Sequence, residues 1–150
     1  MQQKRLKIVP ASYLILKRGN KILMLRRFNT DFQNGKYSFI AGHLDGNESF
    51  TKAIIREAKE EANITVKRKD LRVVHVMNRY VPKNDEGLKE RIDVFFMAKK
   101  WQGKIKNMEY NKCDDLSWFE INKLPRNAIP YIKKVVDNIT KGIYYSEFGY

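Results

Sequence analysis

The sequence predicts an α/β fold, in which a mixed β-sheet is flanked by helices. Short stretches rich in Val, Ile, Leu, Phe and Tyr are separated by turn residues, as is typical of strands. Two longer stretches carry apolar residues at helical spacing. The order along the chain is strands, helix, strands, helix, which favours a sandwich with one helix on each side of the sheet. No repeat or linker-like tract divides the 150 residues, so we expect a single domain over residues 1–150.

The first half of the chain is predicted to begin with three strands. Residues 6–16 and 21–26 are apolar and flank a Gly-Asn turn, which indicates a hairpin. Residues 36–41 form a short third strand. A helix then begins after Ser49, which is a favourable N-cap residue. We expect it to end near Asn63, because asparagine tolerates the left-handed conformation that often closes a helix.

The second half contributes further strands and a last helix. The strands are predicted over residues 71–80, 91–99 and 116–119. Apolar residues from Ile129 to Ile139 mark the terminal helix. The segment after it, residues 144–150, carries four aromatic residues and one glutamate. We expect this segment to pack on the domain or on a partner subunit.

The chain is strongly basic, with 30 Lys and Arg residues against 17 Asp and Glu and a net charge of +13. Such a surface attracts polyanions, including nucleotides and nucleic acids. The lysines are scattered and no RRM, KH or zinc-finger signature is present, so the charge indicates a solvated surface with some preference for a small anionic substrate. Nucleic-acid binding stays open as the less favoured alternative.

Compartment and assembly are predicted from what the sequence lacks. No apolar run approaches the ~18 residues of a membrane span, and the first ten residues lack the apolar segment of a signal peptide. The single cysteine, Cys113, excludes an intrachain disulfide. We therefore expect a cytoplasmic protein that does not enter a membrane, and the sequence leaves open whether it is a monomer or a homodimer.

Residues 42–64 are unusual because they concentrate acidic residues in a basic chain. Glu57, Glu60 and Glu61 are separated by three and four positions, so they share one side of the predicted helix. Like charges at this spacing cost about 0.2–0.5 kcal/mol per pair, which favours a bound cation. Oxygen-only ligands suit Mg²⁺ or Mn²⁺. The alternative is a solvated face neutralised by neighbouring basic side chains, namely Lys52, Arg56 and Lys59.

The same stretch resembles the Nudix box, G-x5-E-x7-R-E-U-x-E-E-x-G-U, in which U is a bulky aliphatic residue. The matching residues are Gly42, Glu48, Arg56, Glu57, Glu60, Glu61 and Ile64. Ala58 stands at the first aliphatic position and Ile40-Ala41 replaces the Pro-Gly that usually precedes the box. Asn63 replaces the last glycine, and because both residues tolerate positive φ we expect the turn to persist.

This resemblance implies a Nudix-type α/β/α sandwich that hydrolyses a nucleoside diphosphate linked to another group, X. The implied ligands of Mg²⁺ or Mn²⁺ are Glu57, Glu60 and Glu61, with the backbone carbonyl of Gly42. Glu48 and Arg56 would pair and brace the loop against the helix. Members of the family differ in whether a helix glutamate, here Glu57 or Glu60, or a distant one serves as the general base.

Outside the box, the resemblance to MutT-like members implies three further site residues. Glu109 would be the distant catalytic or metal-binding carboxylate, with Asp93 as a rival and Glu90 as a weaker one. Arg26 would contact substrate at the end of the second strand, the alternative being a solvated strand end. Asn127 would recognise the base, the alternative being the N-cap of the last helix.

The leading hypothesis for the reaction is hydrolysis of a (deoxy)nucleoside triphosphate to monophosphate and pyrophosphate. An ADP-ribose or dinucleoside polyphosphate substrate is one alternative. A non-catalytic nucleotide- or RNA-binding module is another. The complete set of helix glutamates favours an enzyme, because a degenerate binding module would be expected to lose at least one of them.

Overall fold

The computed structural model describes residues 3–83 and 87–150. The strands are β1 Val9–Arg18, β2 Lys21–Arg27, β3 Tyr37–Ser38, β4 Ile40–His43, β5 Arg72–Tyr80, β6 Glu90–Ala98, β7 Cys113–Glu120 and β8 Tyr145–Phe148. The helices are α1 Phe50–Ala62 and α2 Pro130–Thr140, with a 3-10 turn at Arg68–Asp70. The prediction of one strand over residues 36–41 is wrong, because β3 pairs with β2 whereas β4 pairs with β1.

The sheet is mixed, as predicted. Its strands follow the order β3-β2-β1-β6-β5-β8, with β4 also paired to β1 and β7 to β2. The pairs β1–β6 and β5–β8 are parallel, and the other pairs are antiparallel. Parallel neighbours need long connections, so strands far apart in sequence meet in the middle of the sheet.

Each face of the sheet packs against one helix. Ile54, Ala58 and Ala62 of α1 are fully buried with Leu14 and Phe96 on one face. On the other face a second cluster contains residues of α2 and of the central strands, including Ile132, Val135, Val136, Met24 and Phe95. The predicted α/β/α sandwich is confirmed.

Both ends of α1 follow the local sequence. The Ser49 hydroxyl oxygen accepts a hydrogen bond from the Lys52 N–H at 3.1 Å, which satisfies one of the free donors of the first turn. Asn63 closes the helix in the left-handed conformation, with φ 59° and ψ 30°. The positions of both caps are therefore as predicted, and they fix where the glutamates of α1 lie.

The aromatic C-terminal segment packs on the domain. Strand β8 pairs in parallel with β5 along the edge of the sheet. Its Ser146 hydroxyl contacts Nε2 of the buried His75 at 2.7 Å, and the Tyr150 hydroxyl donates to Oδ1 of Asn78 at 2.8 Å. Separately, the described residues include no helix long and apolar enough to cross a membrane.

Candidate active site

Gly42 lies in β4 directly against the side chain of Glu57. A Cβ on Gly42 would overlap Oε1, Cδ and Cγ of Glu57. The φ angle of Gly42 is outside the left-handed region, so this position needs glycine because of its neighbour and not because of its backbone conformation. The strand thereby allows a helix carboxylate to reach the backbone at the end of β4.

Two of the three helix glutamates are largely enclosed. Burial raises the pKa of Glu61 well above its usual range, and the nearby charges of Glu57 and Glu109 raise it further. Burial also raises the pKa of Glu57. Glu61 accepts one backbone hydrogen bond, from the Ala41 N–H at 3.2 Å. The Glu60 side chain is 51% exposed. The helix therefore presents two partly buried carboxylates and an exposed one, close enough to repel each other, at the edge of a cleft.

Arg56 connects the box loop to these glutamates. Its Nη2 and Nε donate to the two carboxylate oxygens of Glu48 at 2.8 and 3.3 Å. Its Nη1 donates to Glu57 at 2.9 Å and to Glu60 at 3.3 Å. Glu48 also accepts from the Asp45 N–H at 2.7 Å. The structure thus brings Glu48 and Arg56 together between the loop and α1.

Glu109 reaches the same cleft from a distant loop. The Met108 N–H donates to the Glu61 carbonyl at 3.1 Å and the Lys106 N–H to the Ala62 carbonyl at 3.0 Å. These carbonyls lie in the last turn of α1, where helix carbonyls lack partners within the helix. Docking of the loop on the helix end places the Glu109 charge near Glu57 and Glu61.

The helix glutamates and Glu109 surround a space of about 460 Å³, which we call the acidic cleft. Its lining includes the four carboxylates Glu57, Glu60, Glu61 and Glu109, and the two cations Arg27 and Lys112. Within residues 3–83 and 87–150, no three acidic, His or Cys side chains already form a ready metal-binding group. Arg56 holds two of the helix glutamates in this conformation. The donor set nevertheless fits a hard divalent cation, because buried carboxylates are the ligands such ions prefer and a cation would relieve their repulsion.

A larger pocket of about 680 Å³ opens beside the acidic cleft, and we call it the side pocket. The two spaces share four lining residues, Arg27, Ala41, Gly42 and His43. The buried residues Tyr13 and Tyr131 also line the side pocket, and their hydroxyls hydrogen-bond at 2.9 Å. Further cations come from Arg79, Lys83 and Arg91. The volume of this pocket lies within the range of small-molecule binding sites.

Asp93, the rival of Glu109, takes part in a different arrangement. It is fully buried and accepts a hydrogen bond from Nε of Arg79 at 2.6 Å. The Arg79 guanidinium lies 4.0 Å from the centre of the Tyr131 ring. Asp93 therefore sits beneath the side pocket, where it neutralises Arg79, and it does not line the acidic cleft.

Arg26 and Asn127 are placed away from the acidic cleft. Arg26 forms an ion pair with Asp114 at 2.7 Å, whereas its neighbour Arg27 lines both spaces. Asn127 donates from Nδ2 to the Gly35 carbonyl at 2.9 Å and so ties the loop before β3 to the chain before α2. The alternative that Asn127 caps the last helix is wrong, because the N-cap of α2 is Ile129.

Several residues of the two spaces were not singled out from the sequence. Arg27, Lys112 and Arg79 carry no motif of their own. For Arg27 the sequence offered one signal, the pair of adjacent arginines that ends β2. However, the pairing of β2 with β7 shifts register between Arg26 and Arg27. A regular alternation of faces therefore could not choose between them.

The protein is an α/β/α sandwich whose first helix carries the carboxylates of the candidate active site. A family model described as NUDIX domain matches residues 7–139, and because this is most of the chain, the protein belongs to the Nudix hydrolase family. Curated relatives include an ADP-ribose pyrophosphatase of Methanocaldococcus jannaschii, 28% identical over 82% of this chain and 68% of that protein. Another is an NAD-capped RNA hydrolase NudC of Chromobacterium violaceum, 27% identical over 83% of this chain.

The chain spans 42% of the length of that NudC relative. Among solved structures, a MutT NUDIX hydrolase from Burkholderia pseudomallei matches with a TM-score of 0.76 and 19% identity, over 87% of this chain and 97% of that one. A MutT protein from Methanosarcina mazei Go1 matches with the same TM-score and 18% identity, over 93% and 97%. At these identities the structural matches establish the fold alone.

Proposed function

We propose that this protein hydrolyses a phosphoanhydride bond in a nucleoside diphosphate linked to another group, with Mg²⁺ or Mn²⁺ as the cofactor. The observation that carries the proposal is the continuity of the acidic cleft with the side pocket through Arg27, Gly42 and His43. A cleft of carboxylates suits a metal and a pyrophosphate. The adjoining pocket, with its aromatic and cationic lining, suits the nucleoside.

The residues that would hold the metal are Glu57, Glu60 and Glu61, with the carbonyl of Gly42. When bound, the ion would neutralise the negative charge of the pyrophosphate and would lower the pKa of a coordinated water. Glu48 contributes indirectly, because its two hydrogen bonds to Arg56 hold the guanidinium next to the helix glutamates. Arg56 in turn positions Glu57 and Glu60.

The cations beside the cluster would bind the substrate's phosphate oxygens. Arg27 and Lys112 line the acidic cleft together with its carboxylates. Positive side chains here would add to the neutralisation of the phosphates that the metal ion provides. We therefore assign the phosphate contact to Arg27, and not to Arg26, for which the sequence predicted a contact with substrate.

Glu109 is our choice of general base, with Glu57 and Glu60 as the alternatives on the helix. Its loop is held by backbone hydrogen bonds to α1, and Asn107 braces it further by accepting from the Glu109 N–H at 2.9 Å. A carboxylate fixed beside the site of water attack can accept the proton that the water releases.

A nucleoside triphosphate, cleaved to monophosphate and pyrophosphate, is the proposed first substrate because one nucleoside-sized pocket adjoins the cleft. ADP-ribose is the second candidate, favoured by the likeness to a protein named ADP-ribose pyrophosphatase. A non-catalytic binding module is disfavoured, since such a module would have no use for four carboxylates around one cleft.

A product assay tests the proposal. The protein is incubated with Mg²⁺ and a panel of nucleoside triphosphates, ADP-ribose and dinucleoside polyphosphates, and the products are identified by chromatography. A nucleoside monophosphate with pyrophosphate supports the first substrate, and AMP with ribose 5-phosphate supports the second. The absence of Mg²⁺-dependent hydrolysis across the whole panel would refute the proposed activity.

A further inference from the structure

A second basic surface lies at the opposite end of the sheet from the acidic cleft. We call it the far-end patch, and it consists of five exposed cations, Lys67, Lys69, Arg72, Lys99 and Lys100. They line two shallow grooves of about 240 and 250 Å³, which share Asp70 and Lys100. None of the five has an ion-pair partner among the residues that the structure describes. The carboxylate of Asp70 is thus the single negative charge in the lining of the two grooves, which carries five positive charges.

The register of the sheet separates this patch from the site of hydrolysis. Ser12 of β1 pairs with Gly42 on one side and with Val94 of β6 on the other. The chain then runs six residues from Val94 to Lys100, which at ~3.3 Å per residue is roughly 20 Å. The Lys100 end of the patch is therefore separated from Gly42 along the sheet, whereas Thr65 at its other end follows Glu61 by four residues.

An ordered indole borders one of the two grooves. Trp101 lines the groove together with Lys67, Lys69 and Lys100, and it is half-buried. Its ring stacks on Trp118 with the centroids 6.1 Å apart and the planes 23° from parallel. The guanidinium of Arg18 lies over both rings, at 5.3 and 4.7 Å from their centroids. Stacking on both partners holds the Trp101 ring in place at the rim of the groove.

Two uncharged polar side chains complete this groove. Thr65 and Gln102 bond to each other through their backbones, with both N–H to O distances at 2.9 Å. Both residues are exposed. Their side chains therefore face solvent next to the lysines and the indole, where they can donate to or accept from a sugar hydroxyl.

We propose that the far-end patch binds single-stranded RNA. Lysines and arginine without carboxylate partners attract phosphates, and an indole beside them accepts a base by stacking, which is the combination that single-stranded nucleic-acid sites use. The two grooves, of about 240 and 250 Å³, offer room for unstacked bases beside the cations. Thr65 and Gln102 suit the 2′-hydroxyl, which distinguishes RNA from DNA.

Fluorescence anisotropy of a labelled oligouridine, measured in EDTA at several salt concentrations, tests this proposal without involving catalysis. The patch variant is Lys67→Glu/Lys69→Glu/Lys100→Glu. The matched control is Lys4→Glu/Arg5→Glu/Lys7→Glu, which reverses three exposed charges before β1. Both are checked for thermal unfolding, and a Lys→Gln triple at the patch positions replaces the patch variant if that variant fails to fold.

The patch variant should bind at least tenfold more weakly than the wild type at 50 mM salt, while the control should change by less than about threefold. Loss of three phosphate contacts should also flatten the slope of log K against log[salt] by about 2, at roughly 0.7 per phosphate on a single strand. Equal losses in the two variants, or no binding by the wild type, would overturn the proposal. If single-stranded DNA bound as tightly as oligouridine, the assignment to RNA would be overturned. If duplex RNA bound as tightly as oligouridine, the assignment to a single strand would be overturned.

Intrinsic fluorescence tests the stacking step separately. The chain has two tryptophans, so Trp118→Phe leaves Trp101 as the only indole. Oligouridine should quench its emission in the absence of divalent metal. Unchanged emission at an oligouridine concentration that saturates the anisotropy signal would show that no base stacks on Trp101.

Discussion

The absence of a side chain at Gly42 determines where the carboxylate of Glu57 lies. A methyl group on Gly42 would occupy the space of Oε1, Cδ and Cγ of Glu57. The same Oε1 accepts a hydrogen bond from Arg56 Nη1 at 2.9 Å. The end of β4 and the brace of α1 therefore hold this carboxylate from two sides.

Substituting Gly42 tests this relationship. In Gly42→Ala the Glu57 carboxylate must move, and because misplacing a catalytic group by about 1 Å costs on the order of 100-fold, kcat should fall by roughly that factor. The matched control is Gly46→Ala in the loop that follows β4, where a Cβ would meet no atom within 4 Å. Steady-state kinetics with Mg²⁺ should show nearly unchanged turnover for the control, and comparable losses in both variants would contradict this account.

The part of the site that α1 carries could be predicted because it depends on local rules. Helical spacing alone puts Glu57, Glu60 and Glu61 together, and the caps at Ser49 and Asn63 follow from the intrinsic preferences of those residues. No long-range contact has to be known to place these five residues relative to one another.

The remainder depends on contacts between distant segments. Glu109 enters the cleft because the residues before it hydrogen-bond to the end of α1, and no spacing rule in the sequence encodes that docking. Asp93 was the rival of Glu109 in the sequence, and only the antiparallel pairing of β5 with β6 shows that Arg79 lies beside it. The choice between Arg26 and Arg27 required the register shift in β2.

The two adjacent arginines at the end of β2 should differ in their effect on substrate binding. Arg27→Gln should raise KM about tenfold, equivalent to about 1.4 kcal/mol, because it removes a cation from both spaces. Arg26→Gln breaks an exposed ion pair with Asp114, which solvent screens, so it should have little effect on stability and should change KM by less than twofold. A larger KM effect from Arg26 would reverse the proposed assignment.

The turn that closes α1 should prefer glycine or asparagine at position 63. Asn63 has a φ of 59°. For most residues other than Gly, Asn and Asp, this left-handed conformation costs about 1–2 kcal/mol of stability. Asn63→Ala should therefore lower the free energy of unfolding by about 1 kcal/mol, whereas Asn63→Gly should leave it within a few tenths. Urea denaturation of the two variants measures this difference, and an unchanged Asn63→Ala protein would contradict the proposed strain.

Stability should fall in mild acid because of His75. Burial lowers the pKa of this histidine from its ordinary value of 6.5, so the unfolded chain takes up a proton more readily than the folded one as the pH falls below that value. The contribution of His75 to the free energy of unfolding should therefore decrease as the pH falls below about 6.5, and it should be constant above that pH. His75→Gln should show a shallower slope between pH 7 and 5, measured by urea denaturation, and parallel slopes would exclude His75 as the cause.

The most direct test of a metal-dependent phosphoanhydride hydrolase is the kcat of Glu57→Gln across a Mg²⁺ titration. Glu120→Gln is the control, since this residue is half-exposed in β7 and its nearest cation, Lys123, is 3.9 Å away. We predict that wild type and Glu120→Gln turn over a nucleotide of the panel at similar, Mg²⁺-dependent rates, and that Glu57→Gln retains its fold but loses roughly 100-fold or more in kcat. Full activity of Glu57→Gln would contradict the account.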